Sequence, residues 1–144
     1  MTFAFHSLIK RLMGGAVAIC ISLALLLTPL GLTANASGAS MSGDYINDTV
    51  SVARSLQNTI AIPKEEEGRT DAEDEAVQLI TAYISRYRNR SQVNKSLSYT
   101  TMQTALNAMA GHYKTFSNRP LPDQLKERLN QELSKAEALA IKES

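Results

Sequence analysis

Four stretches of this chain space their apolar residues three and four apart, and no stretch alternates apolar with polar at the period of two that a strand requires. That pattern restricts the fold to helices packed on helices. The clearest stretch runs from Ser98 to Tyr113, where Met102, Ala105, Leu106, Met109 and Tyr113, with Phe116 beyond them, share one side of a helix. The opposite side carries Thr100, Gln103, Thr104, Asn107 and Gly111, and between Ser98 and Ser117 the only formal charge is Lys114. Exposed helix faces ordinarily carry several lysines and glutamates. An uncharged face is either an interface or a weakly polar solvent face, and periodicity does not separate the two.

The other three stretches are equally regular. Tyr45, Thr49, Val52, Ala53, Leu56 and Ile60 form a first seam, with Asp44 as its N-cap and Pro63 ending it. Thr70-Asp-Ala-Glu73 has the form of a capping box and precedes a second seam of Ala76, Leu79, Ile80, Tyr83, Ile84 and Tyr87. Asn89 to Leu97 has no seam and reads as a basic loop. Arg119-Pro-Leu-Pro122 forces a non-helical connection, after which Leu125, Leu129, Leu133, Ala136 and Leu139 or Ala140 form the fourth seam. Four such helices with short connections predict an all-α fold over residues 44–144, a four-helix up-down-up-down antiparallel bundle.

The chain before the bundle has a different character. Lys10 and Arg11, the apolar run Leu12 to Leu27 and Ala34-x-Ala36 predict a secretory signal over residues 1–36, cleaved after Ala36, with Ala39 marking a second possible cut. An uncleaved anchor is the competing reading, because the apolar run approaches the roughly 20 residues that span a bilayer. Residues 37–43 are rich in Ser and Gly and read as a flexible leader. Cys20 is the only cysteine and lies inside the apolar run, so cleavage leaves a domain with neither disulfide nor thiolate. Ile19 stands where a lipobox places a small residue, so lipidation at Cys20 is not expected.

Removing the signal takes the formal charge from +1 to −1, thirteen bases against fourteen acids, and near-neutrality argues against a nucleic-acid partner. The charges are unevenly spread. Glu65, Glu66, Glu67, Asp71, Glu73, Asp74 and Glu75 crowd one region, with only Arg69 against them. From Ala76 to Pro122 there is no acid, only Arg86, Arg88, Arg90, Lys95, Lys114 and Arg119.

Chemistry finds little to work with. His112 is the one histidine of the mature domain, no Glu-x-x-His or Cys-x-x-Cys-His occurs, and there is no Gly-rich phosphate loop or EF-hand loop. No catalytic residue, cofactor or metal is therefore expected. The acidic cluster could attract Ca²⁺ or Mn²⁺ but lacks the turn glycines and alternating spacing of a ligand loop, and reads as a solvated helix terminus. Binding remains: Arg88, Arg90 and Lys95, with Gln103, Asn107 and Lys114, form the expected partner-binding set. The charges would steer an acidic protein loop and the amides would hydrogen-bond to it. An ordinary soluble basic surface is the alternative for the same residues, and a membrane-surface role finds its bases few and scattered.

Several blocks occur together in order: Gly43-Asp-Tyr45 with Asp48-Thr49, Tyr83-Ile-Ser-Arg-Tyr-Arg88, Ser98 with Tyr99-Thr-Thr-Met-Gln-Thr-Ala-Leu-Asn107, Ala110-Gly111 with Tyr113, and Arg119-Pro-Leu-Pro122 with Leu125-Lys126 and Arg128-Leu129. In these blocks, from Gly43 to about Glu137, the chain resembles the eleven-kilodalton photosystem II assembly and repair protein family of cyanobacteria and chloroplasts. The resemblance implies a non-catalytic four-helix bundle in the thylakoid lumen, peripheral to the membrane, monomeric when free and without cofactor. Its implied partner is the photosystem II core, at the lumenal loop of the smaller inner-antenna chlorophyll protein. There it would keep extrinsic subunits off while the manganese-cluster site is assembled. Cyanobacterial members commonly start the mature chain with a lipidated cysteine, which this chain lacks at the predicted start. Two other readings stand beside it: a generic envelope-compartment adaptor or chaperone bundle, and a lumenal Mn- or Ca-binding protein.

Overall fold

A computed structural model describes residues 41–144; the expected signal, Cys20 and the leader up to residue 40 lie outside the described residues. Four helices follow in order, α1 (Tyr45–Ala61), α2 (Arg69–Tyr87), α3 (Leu97–Thr115) and α4 (Asp123–Lys142). No strand occurs among the described residues. Each helix packs on two neighbours, α1 on α2 and α4, and α3 on the same pair, so the chain runs round a square.

Side-chain pairings fix the directions. Asp48 near the start of α1 meets Tyr87 at the end of α2, Arg69 at the start of α2 meets Asn118 just past α3, and Ser98 at the start of α3 meets Glu143 just past α4. Arg54 and Gln57 of α1 reach Glu137 and Ser134 of α4 in reverse order. Consecutive helices are therefore antiparallel, and the predicted up-down-up-down bundle is the observed one.

The seams form the core. Val52, Leu56, Ile80, Met102, Leu106, Leu129 and Leu133 are fully or almost fully buried, and α4 turns Ala140 rather than Leu139 inward. Fully burying each large side chain contributes about 1.5–3 kcal/mol relative to exposure. Asp44 caps α1 as expected, its carboxylate accepting from Asn47 N at 2.8 Å. Ser96 caps α3, its Oγ accepting from Tyr99 N at 3.1 Å.

Three local expectations give way. The capping box Thr70–Glu73 does not form: α2 starts at Arg69, Gly68 takes the N-cap position at φ 86°, and Glu73 pairs with Arg69 at 2.5 Å. The i, i+4 pair turns the glutamate along the helix and away from the cap N–H. Phe116, expected on the core seam, is 45% exposed, because the helix ends at Thr115 and its backbone (φ −122°, ψ 55°) leaves the helical path. Leu121 of the connection joins the core instead, only 2% exposed. Finally, Met41, Ser42 and Gly43, read from the sequence as the end of a flexible leader, lie against the bundle: Met41 packs on the core and both following residues hydrogen-bond to Asp48.

Candidate functional site

The α2–α3 connection is wound rather than slack. Arg90 N donates to Tyr87 O at 3.1 Å, Val93 N and Asn94 N both donate to Arg90 O at 2.9 Å, and Ser96 N donates to Val93 O at 2.9 Å. Asn94 Nδ2 also ties back to Arg88 O at 3.0 Å, and Val93 packs on the core. These bonds leave Arg88, Arg90 and Lys95 exposed on one short loop. Among the described residues none of the three forms an ion pair.

Arg90 is the most constrained of the three. Its guanidinium centre lies 4.8 Å from the centre of the Tyr87 ring, and its Nη1 donates to Gly43 O at 3.2 Å. Beneath it, Asp48 is buried and accepts four hydrogen bonds: Oδ1 from Ser42 N (2.6 Å) and Ser42 Oγ (2.8 Å), Oδ2 from Gly43 N (3.0 Å) and Tyr87 Oη (2.6 Å). Burial alone would raise the Asp48 pKa; the bonds from Tyr87, Ser42 and Gly43 outweigh it and hold the carboxyl below its ordinary value. Tyr87 moves the other way, pushed up by burial and by its bond to the Asp48 carboxylate.

A second polar group at the same end joins three helices. Tyr45 Oη lies 2.6 Å from Ser98 Oγ, Ser98 Oγ lies 3.0 Å from Ser96 Oγ and donates to Glu143, and Thr49 Oγ1 lies 2.7 Å from Tyr83 Oη. Tyr99 shares this region but its buried hydroxyl has no partner among the described residues.

The outward side of α3 is exposed at Thr100, Thr104, Asn107 and Gly111 and half-buried at Gln103. Its threonines turn their hydroxyls inward: Thr100 Oγ1 donates to Ser96 O and Leu97 O, both at 3.1 Å, and Thr104 Oγ1 to Thr100 O at 2.9 Å. Such back-bonding spends these hydroxyls on the helix's own carbonyls, so the face offers fewer free donors than its composition suggests. Leu97, 57% exposed, extends it toward the basic loop.

The six sequence-predicted residues therefore divide. Arg88, Arg90 and Lys95 share the loop, Gln103 and Asn107 lie on the adjoining α3 face, and Lys114 stands about 24 Å farther along the helix than Ser98 at 1.5 Å per residue. Lys114 keeps company with the other end, where His112 Nε2 lies 3.3 Å from Arg119 O and its ring 5.2 Å from that of Phe116. Sequence reasoning did not include Asp48, Tyr87 and Gly43, which hold Arg90 in place. Among the described residues no three His, Cys, Asp or Glu side chains converge as a metal site would require, and no helix is long and apolar enough to cross a membrane.

Fold and surface together define a small all-α bundle whose distinctive parts are a wound basic loop and an uncharged helix face. Comparison with known proteins makes this specific. The sequence profile of the family described as Photosystem II Pbs27 matches residues 11–139, and the chain belongs to that family. It is 42% identical over 113 residues to the photosystem II lipoprotein Psb27 of Synechocystis sp., covering 78% of this chain and 84% of that protein. It is 36% identical over 140 residues to the photosystem II assembly factor lipoprotein Psb27 of Thermosynechococcus vestitus, covering 94% and 98%. The solution structure of Psb27 from cyanobacterial photosystem II superposes with a TM-score of 0.70 at 39% identity, covering 75% of this chain and 94% of that one. The crystal structure of PSB27 from Arabidopsis thaliana gives 0.66 at 28%, covering 69% and 98%.

Proposed function

We propose that this chain is a non-catalytic assembly and repair factor that docks transiently on the lumenal face of immature or damaged photosystem II. Family membership supports the photosystem as target, since relatives bear the names photosystem II assembly factor and photosystem II repair protein. One observation on this chain carries the mode of action: three exposed bases free of ion pairs adjoin a helix face without charge. Charges of that kind speed encounter with an acidic surface, while the amides of Gln103 and Asn107 supply short-range contact.

The finer reading is that the partner surface is the lumenal loop of the smaller inner-antenna chlorophyll protein. Occupancy there would keep extrinsic subunits off while the manganese-cluster site is completed. The mechanism is steric and needs no bond made or broken. Affinity isolation of a tagged copy from a thylakoid-bearing host tests it. Photosystem II cores lacking their extrinsic subunits should co-purify, and the inner-antenna protein should dominate the cross-links made through Lys95. Recovery of unrelated envelope complexes would sink the reading.

A further inference from the structure

We infer that Asp48 is the positioning residue of the docking surface, presetting Arg90 through two separate arms. This rests on the docking reading above and deepens it. The first arm runs through Tyr87: its hydroxyl donates to Asp48 Oδ2 at 2.6 Å, which fixes the ring on whose face the Arg90 guanidinium lies at 4.8 Å. The second runs through the leader: Gly43 N donates to the same Oδ2 at 3.0 Å, and Gly43 O accepts from Arg90 Nη1 at 3.2 Å. Both groups that touch Arg90 are thus held by one buried carboxylate.

The arrangement is specific to an acceptor-only side chain. Each Asp48 oxygen receives two donors, so an asparagine NH₂ at either position would face two donors instead of two acceptors. Gly43 is needed on the second arm, because its φ of +94° lies in the left-handed region and a Cβ there would come within 3.3 Å of Arg86 Nη1. One of Arg90's five N–H donors is spent on Gly43, leaving the rest of the planar fork for a carboxylate on the partner. A fork fixed before docking loses less side-chain freedom on binding, and losing that advantage weakens affinity by roughly three- to tenfold.

The test uses isotope-labelled full-length protein in detergent micelles and photosystem II cores stripped of extrinsic subunits. In the wild type the Arg90 Hδ resonances should lie upfield, shifted by the Tyr87 ring. In Asp48→Asn they should return to ordinary values while the Leu56 and Leu133 methyl shifts stay in place, and core binding should weaken three- to tenfold. In an Arg90→Ala background the same Asp48 substitution should cost no further affinity, because the residue through which it acts is gone. Arg90 Hδ resonances that stay upfield in Asp48→Asn, or an equal affinity loss with and without Arg90, would overturn the assignment. Where Asp48→Asn does not fold, Tyr87→Phe removes one arm and keeps the ring, and Arg90 Hδ must then move part of the way; no movement overturns it. A wild type with the upfield Arg90 signal but no affinity for the cores would instead remove the docking reading and leave the positioning intact.

Discussion

A single buried carboxylate sets the behaviour of the molecule at the residue scale. Asp48 is 1% exposed yet keeps its charge, because four donors replace the water it loses. Its pKa is lower in the folded chain than its ordinary value of 3.8, so its contribution to stability is fully present above that value. It is lost as pH falls through the folded value. Denaturant melts between pH 6 and pH 2 should therefore show an acid decline that Asp48→Asn flattens; at neutral pH that variant should be less stable by about 1–3 kcal/mol, the cost of leaving buried donors unsatisfied. The tyrosines offer an internal comparison. Tyr87→Phe removes a bond to a charged acceptor and should cost about 1.5–3 kcal/mol. Tyr99→Phe removes a hydroxyl without a partner and should be neutral or stabilising, as thermal melts of the pair would show. The sequence made Tyr83 and Tyr87 legible as core residues, but not the carboxylate between them and the leader. Asp48 stands three residues after Tyr45 and four before Val52, so it shares the buried side of α1, but an acid in the first turn ordinarily reads as a solvated helix start, and its partners Ser42 and Gly43 look like linker by composition.

Helices were legible to within a residue or two because their seams are long and their ends chemically marked. Where two marks competed, the local sequence misled. Thr70-Asp-Ala-Glu73 has the spacing of a capping box, yet Arg69 stands four residues before Glu73 and reaches Lys64 O and Asn118 O as well, so the ion pair captures the glutamate. Ser96, by contrast, caps α3 although the loop before it carries no apolar pattern to announce a start. Alanine substitutions separate the two. Ser96→Ala should destabilise the protein by about 1 kcal/mol, the usual value of a serine N-cap, with a further loss from its place beside Ser98. Thr70→Ala should change the unfolding free energy read from denaturant melts by less than about 0.5 kcal/mol, as an exposed substitution away from any cap does. Equal effects would mean that Thr70 caps α2 in solution after all. Phe116 follows the same logic: its spacing matched the seam, but the helix stopped one residue earlier, and its ring went to His112 and Arg119 instead of the core.

At the scale of the whole molecule the antiparallel arrangement removes one source of charge asymmetry and leaves another. Each end of the bundle gathers two helix N-termini and two C-termini, so the helix dipoles largely cancel there. The field that a partner meets is then set by side chains. At one end Arg86, Arg88, Arg90 and Lys95 are exposed; at the other stand Glu65, Glu66, Glu67, Asp71, Asp74 and Glu75, with Arg69 taken by Glu73 and Lys64 beside Asp123, although Lys114 and Arg119 lie at that end too. The uneven spread visible in the sequence thus becomes a separation in space only in part, four of the six bases gathering at one end, which periodicity alone did not disclose because it needed the direction of each helix. Reversing Arg90 and Lys95 to Glu should weaken binding to stripped photosystem II cores by about tenfold or more at low salt, chiefly through slower association. The difference from wild type should shrink as salt screens the charges. Thermal stability should fall modestly: neither side chain is ion-paired among the described residues, and the loss is that of Arg90's contacts with Gly43 O and the Tyr87 ring, the ring contact contributing about 0.5–1 kcal/mol at an exposed site. Changing Glu65, Glu66 and Glu67 to Gln alters the net charge by a similar amount in the favourable direction, and should change affinity by less than about twofold if docking is local to the basic end. Association rates measured over a salt series separate the cases. A response that follows net charge regardless of which end is altered would mean that long-range attraction alone brings the bundle to its partner, and that the basic loop has no privileged contact.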